Sequence, residues 1–568
     1  MGPAGSAAGS AGFAGADAFR KIANAAVEDY LTHEPESATE LGDHRYDERL
    51  DDRSAAGLAE SRRVYARHRE AVATVDVSSL EPDDRVDLQI LIGALDERIF
   101  AIDELREHEW NALYYNPGDA LYSLLVRDTI PIGDRLRGVT SRLDQVGYML
   151  GLARTQLVRP SRVHVETALQ QNPGTIALVR DEVGRVLSKY RSTGTPDVAL
   201  LGSIEAAQQK ALASLDAHGA FLSDLLSRSD SSRRLGGDLF ARKLELNLNS
   251  GLGAAEVSSR AQEHLEQVTE ALVEVAREYL AERGDVSGTA PSSNARLGSS
   301  SDEEAVRMAL DAVAEQRPDD SSIIDEAWRG LDRATTAVRE SGIATIPEDT
   351  MTVQVMPEFR RGIAIAYCDS PGPLESGGET FLAVSPTPHG WSAERIVSFY
   401  REYNSAMVVN LIVHEAMPGH AVQLAHGRRY SGSTQVRRVF MSGSFIEGWA
   451  VHAEKLMADA GLGGKAVKLQ QLKMQLRMTI NAILDSAVQA GGMTEAQAMD
   501  LMQKRGFQEE GEAAGKWRRA CLTSAQLSTY FVGYLELADL FSRLGTLKSF
   551  DPVLAHGSPP PRLLSELL

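Results

Sequence analysis

Apolar residues recur three and four positions apart over most of the chain, the spacing that lines one face of an α-helix. On that pattern helices are expected at 18–31, 85–108, 133–157, 175–190, 204–226, 256–281 and 325–339. A shorter one is expected at 161–171, bounded by Pro160 and by Asn172-Pro173-Gly174. The pattern changes near residue 352. Segments 352–356, 362–367 and 380–385 are short and partly alternating, as half-buried strands are. A small sheet is therefore expected ahead of helices at 392–417, 437–460, 465–489 and 518–544. No repeat of fixed period interrupts this order.

Gly and Ser crowd 285–301, where large apolar residues are scarce, so this stretch reads as a linker or loop. The chain then divides into a flexible tail at 1–16, an N-terminal helical lobe at 17–284 and a C-terminal lobe at 302–568 that carries the chemistry. The fold class expected is mainly α, with one small sheet before the helix that bears the candidate site.

Composition narrows the function. The 568 residues hold 59 Lys and Arg against 79 Asp and Glu, a net charge of −20. Such a chain lacks the basic face that neutralises phosphates, so no nucleic-acid partner is expected. Cys368 and Cys521 are too few for a disulfide framework or a Cys-rich zinc site. No apolar run approaches the roughly 18 residues of a membrane span. The first residues, Met1-Gly-Pro-Ala-Gly-Ser, lack the basic and apolar regions of a signal peptide. The expectation is a soluble cytoplasmic protein without a membrane partner; nothing indicates its oligomeric state.

Histidines concentrate in Val413-His414-Glu415-Ala416-Met417-Pro418-Gly419-His420. The zinc-peptidase pattern H-E-x-x-H sets two imidazoles one turn apart beside a glutamate that works as general base. Here the second His follows at i+6, which on a regular helix leaves the two ~240° apart and ~9 Å along the axis. Pro418 lacks an N–H and clashes with the carbonyl of His414, while Gly419 tolerates unusual backbone angles. A kink or bulge is expected there, bringing His420 back toward His414. Such an insertion costs a helix ~3 kcal/mol or more, which argues against ordinary packing.

A zinc site with an open position needs a third protein ligand. Glu447 and Glu454, seven apart in Glu447-Gly-Trp-Ala-Val-His452-Ala-Glu454, share one helix face. One of them is expected to ligate and the other to accept a hydrogen bond from a ligand His; the alternative is a solvated acidic stripe. His452 lies ~140° round from Glu447 and is expected to be packed or to support the ligands from behind.

HEAMPGH followed by EGWAVHAE resembles the bacterial domain-of-unknown-function family 885, whose marks are H-E-A-x-P-G-H and E-G-W-A-x-Y-A-E. The opening Pro35-Glu-Ser-Ala-Thr-Glu-Leu-Gly-Asp-His-Arg-Tyr-Asp, the pair Tyr403-Asn404 and the set Gln526, Tyr530 and Gly533 fit the same family. That family resembles zinc metallopeptidases of the thimet-oligopeptidase and Taq-carboxypeptidase kind. The resemblance implies a two-lobed helical zincin-like fold around a deep channel. It also implies zinc as cofactor, His414, His420 and Glu447 as ligands, and Glu415 as general base. Tyr530, with Tyr534 second, is expected to steady the developing oxyanion; core packing at i, i+4 is the alternative. Three departures point to an altered pocket: His452 for Tyr, Ser524-Ala525 for Pro-Gly, and Phe531 where Lys is frequent.

The function expected is a zinc-dependent, peptidase-like hydrolase that cleaves a peptide or amide bond of a small substrate. Arg518 and Arg519 are candidates to pair a substrate carboxylate, or else form a solvated basic pair. Strand 380–385 is a candidate to hold an extended peptide at its edge. Two other functions remain open: a zinc hydrolase or lyase for a non-peptide metabolite, and a non-catalytic helical binding protein with a structural metal. Signatures of serine hydrolases, P-loops and dinucleotide folds are missing.

Overall fold

The computed structural model describes residues 7–194, 196–229, 231–284, 300–349, 351–356, 361, 365–375 and 377–568. Helices come first: α1 (Ala7–His33), α2 (Pro35–Leu41), α3 (Ala55–Ala73), α4 (Pro82–Phe100), α5 (Gly118–Val126) and α6 (Ile132–Gln156). They continue as α7 (Arg162–Ala177), α8 (Val183–Arg191), α9 (Val198–Ser227), α10 (Gly237–Leu248), α11 (Ala254–Arg283), α12 (Ser300–Ala314) and α13 (Ile323–Ser341). Strands β1 (Met351–Val355), β2 (Ala366–Asp369) and β3 (Thr380–Val384) follow. Next come α14 (Ala393–Glu402), α15 (Ser405–Glu415), α16 (His420–Arg429), α17 (Val436–Val439) and α18 (Gly443–Asp459). The chain ends with α19 (Gly464–Gln489), α20 (Glu495–Lys504), α21 (Glu510–Leu522), α22 (Ser528–Leu544) and α23 (Asp551–Leu554). The protein is mainly helical with one small sheet.

β3 is the central strand, parallel to β1 and antiparallel to β2. Both of its edges are therefore paired, and it cannot take up an extended peptide as its position in the sequence suggested. Apolar residues of this sheet, α13, α15 and α18 share one core that includes Val384, Ile412 and Trp449. A second core joins α10, α11 and α12 to α19, α21 and α22. Thus α11 and α12, which flank the expected linker, pack on common partners, and Arg277 pairs with Asp302 across it. Residues 285–299 of that linker, and residues 1–6 of the expected tail, lie outside the described residues; from Ala7 onward the chain is α1.

Several long expected helices are divided. Residues 392–417 separate at Asn404, whose side chain accepts the Met407 N–H at 3.1 Å while its amide donates to the Arg401 carbonyl at 3.0 Å. Asn competes in this way with helix continuation and caps the next helix. Conversely, α7 runs through Pro173. There Asn172 is buried and donates to the Leu215 carbonyl at 3.1 Å, so packing against α9 overrides the local stop signal.

Candidate metal centre

α15 is buried along most of its length, with Met407, Val408, Val409, Ile412 and Val413 almost free of solvent. It ends at Glu415 and α16 begins at His420, so the Pro-Gly segment interrupts the helix outright instead of kinking it. The turn uses α15's last carbonyls: Ala416 and Met417 both donate to Ile412, at 2.9 and 3.1 Å, and Gly419 donates to Val413 at 3.0 Å. A Cβ at residue 419 would stand 1.8 Å from the His414 carbonyl oxygen, so only glycine fits. The indole N–H of buried Trp449 donates to the Pro418 carbonyl at 2.9 Å and ties the turn to α18. This accounts for the tryptophan in E-G-W.

The turn brings the two imidazoles together, with ring centres 4.7 Å apart and planes at 85°. Glu447 Oε2 lies 3.5 Å from Nε2 of both His414 and His420. One ligand atom from each of the three falls within 4.8 Å of the other two. Glu454, seven residues along α18, accepts from His414 Nδ1 at 2.7 Å and from Asn410 Nδ2 at 2.6 Å. That fixes the His414 ring with Nε2 toward Glu447, as a supporting carboxylate does for a metal-bound His. Asn410 was not singled out from the sequence, although it stands one turn before His414 on the same helix face.

The cluster suits a cation. Burial disfavours protonation of His414, yet Glu447, Glu454 and Glu415 outweigh it and hold the imidazole well above its usual range. For Glu447 burial favours the neutral acid, but the two histidines pull the carboxyl far below the usual range. Glu447 Oε2 and His420 Nδ1 are buried without a hydrogen-bond partner among the described residues. A divalent ion on His414 Nε2, His420 and Glu447 would replace that proton-borne charge, and two His plus one carboxylate is a familiar zinc donor set.

Glu415 lies close enough to His414 to help hold that imidazole protonated, and its Oε2 accepts the Cys368 N–H of the edge strand β2 at 3.0 Å. The small sheet thus holds the candidate base in place. Tyr530, on α22, is half-buried. Burial first, then Glu447, raise its phenol above the ordinary range, so it keeps its proton as a donor. Arg519 donates to its hydroxyl at 3.4 Å and to Gln526 Oε1 at 2.8 Å. α22 is held against α18 by a backbone crossing: a Cβ on Gly533 would lie 1.8 Å from the Ser444 carbonyl oxygen, and one on Gly448 2.3 Å from Gly533 carbonyl carbon.

The other expected residues lie elsewhere. Tyr534 belongs to the core; its hydroxyl accepts from Gln475 at 3.3 Å and its ring lies 5.7 Å from His264. His452 packs among Phe541 at 4.5 Å, Phe550 at 5.9 Å and Tyr534 at 6.2 Å, with burial pushing its pKa down to about 3. Arg518 turns away to Thr167 Oγ1 of α7 at 3.0 Å, so the Arg518–Arg519 pair is split. In the loop before α22, Ala525 adopts φ +65°, a conformation that favours glycine. Asp485 fixes that loop by accepting from the N–H groups of Ala525 and Ser528, both at 3.0 Å.

In this mainly helical protein the turn thus draws two His and a Glu, from H-E-A-M-P-G-H and E-G-W, into one cluster. Residues 35–568 match the family described as "Bacterial protein of unknown function (DUF885)", and the chain belongs to it. Among curated proteins none matches. Two solved structures are similar, each described as a "putative lipoprotein". That from Shewanella oneidensis shares 26% identity at a TM-score of 0.79, covering 97% of this chain and 99% of its own. That from Colwellia psychrerythraea shares 15% identity at 0.76, covering 96% and 97%, and establishes likeness of fold alone. The lipoprotein description of the Shewanella relative overturns the expected cytoplasmic location. Cys368 and Cys521 are free thiols, and two unpaired cysteines do not report a compartment. No helix among the described residues is long and apolar enough to cross a membrane.

Proposed function

We propose that the protein is a zinc-dependent, peptidase-like hydrolase that cleaves a peptide or amide bond of a small substrate. The observation that carries this is the convergence of His414, His420 and Glu447, backed by Glu454, with Glu415 beside them and outside the ligand set. Zinc, when bound, supplies a Lewis acid and a water acidic enough to ionise near neutral pH. Glu415 accepts a proton at its carboxylate and returns it to the leaving amine. Tyr530 donates its O–H where negative charge develops on the substrate oxygen. In this reading the two lobes of a zincin-like fold flank the channel along which substrate arrives. The position of His452 favours an enzyme over a structural metal protein: a closed structural site needs a fourth protein ligand, and the aromatic cage keeps this imidazole from serving. The kinship with the Shewanella lipoprotein supports a place outside the cytoplasm.

Glu415→Gln tests the proposal. Turnover on a hit from a peptide and amide library should fall roughly 10²- to 10⁴-fold, while elemental analysis still finds about one zinc per chain. Wild-type turnover in that variant would remove Glu415 from the mechanism.

A further inference from the structure

One face of α21 carries an excess of positive charge, and its Arg519 reaches Tyr530. Lys516 and Arg519 stand three apart, hence on the same side of the helix, and both are half-buried. Arg519 has only neutral partners, Gln526 and Tyr530. Lys516 has no hydrogen bond or ion pair among the described residues; its electrostatic neighbours are Arg477, Glu512 and Arg519.

The two carboxylates behind this face are already taken. Glu402 accepts from Lys473 at 2.8 Å and Arg477 at 3.4 Å. Glu512 pairs with Arg477 and accepts the Tyr403 hydroxyl at 3.3 Å. Four basic side chains therefore meet two acidic ones, in a chain whose net charge is −20. An uncompensated, half-buried cation is costly unless a ligand supplies its partner. The cost is visible at Lys516, whose ammonium is brought down to about 7 by burial first and by Arg477 next. Tyr530 links this face to the triad, sensing Glu447 on one side and Arg519 on the other.

We propose that Lys516 and Arg519 form a carboxylate-binding subsite beside the metal centre, so that the substrate is a short peptide or amide carrying an anionic group. This rests on the hydrolase reading for its substrate class but not for the binding itself. Arg519 offers the planar fork that matches a carboxylate, and Lys516 adds a point charge. The carboxylate is either the substrate's C-terminus or an acidic side chain.

Calorimetric titration of the full chain, metal-free and zinc-loaded, with three probes decides it. The probes are acetyl-Ala-Ala, its C-terminal amide, and acetyl-Ala-Asp-amide. A terminal-carboxylate subsite binds the first at least about tenfold more tightly than the second, the scale of one charge-assisted hydrogen bond. A side-chain subsite shows that margin for the third probe. Lys516→Met and Arg519→Met should each erase most of the preference, and Lys516→Arg should restore it, with unchanged thermal melting guarding against misfolding. Equal binding of all three probes, no binding at millimolar concentration, or a preference that survives both Met variants would overturn the subsite. Zinc stoichiometry is read separately. A chain that binds no zinc but keeps the carboxylate preference refutes the metal reading alone, and one that binds zinc without preference refutes the subsite alone.

Discussion

Glu454 and His452 stand two residues apart on α18, both buried, and their surroundings treat them oppositely. Glu454 receives two short hydrogen bonds from α15, through Asn410 and His414. His452 receives none at Nδ1 and is enclosed by Phe541, Phe550 and Tyr534. The helix itself is the same. What differs is the face: one looks at a helix bearing polar side chains, the other at aromatic residues of the C-terminal segments. A buried polar group becomes part of a site only when neighbouring elements aim complementary groups at it.

The sharpest way to break that contrast is at the turn that creates the polar face. Gly419→Ala forces a methyl into the His414 and Val413 carbonyls. It should displace His420, lower zinc content from about one per chain toward none, and cost at least ~1–3 kcal/mol of stability as overpacking does. Metal analysis and denaturant unfolding read both effects. A milder probe is Glu454→Gln, which keeps the shape but weakens the hold on His414. Zinc affinity measured by chelator competition should drop roughly 10- to 100-fold, the scale for a lost supporting carboxylate.

The smallest change is expected on the aromatic face. His452→Phe should leave zinc affinity unaltered and shift stability at pH 7 by no more than ~1 kcal/mol. Its signature is in acid. The folded value of about 3 lies below the unfolded imidazole's ~6.5, so the unfolded chain takes up a proton that the native one refuses. Stability is therefore lost as pH falls from ~6.5 toward ~3, and the variant should flatten that limb. His218 and His264, both near 4 through burial, keep part of it. His44 shows the opposite sign: burial lowers it, but Asp47 and Glu375 outweigh burial and raise it to about 9. Its contribution is complete below ~6.5 and lost as pH rises through about 9. His44→Gln should therefore flatten an alkaline limb in pH-dependent melting.

How far the residues alone reach can be judged from the same contrast. The helical spacing, the strands at 351–355 and 380–384, and the shared face of Glu447 and Glu454 were legible because each depends on local periodicity; of the strand expected at 362–367, residues 362–364 lie outside the described residues, and β2 runs Ala366–Asp369. The conjunction of Pro418 and Gly419 signalled that α15 would not run on. Its outcome as a clean break depends on Trp449, an anchor 31 residues downstream, which spacing does not reveal. The separate fates of Tyr530 and Tyr534, or of Arg518 and Arg519, were equally hidden. Adjacent residues on a helix face different neighbours, and only tertiary packing says which neighbours those are. Lys516 had a readable signal in its i, i+3 relation to Arg519, but charge balance became visible only once Glu402 and Glu512 were seen to be occupied.

The glycine crossing of α18 and α22 bears on motion. Backbone meets backbone at Gly448 and Gly533, with no side chain between them to change rotamer and let the helices slide. Glu447 and Tyr530, each within a turn of that crossing, must then travel together whenever the molecule breathes. Any relative shift of α18 and α22 would have to break this backbone contact first. The spacing of the Glu447 carboxylate and the Tyr530 phenol is thus set by backbone packing instead of by side-chain rotamers.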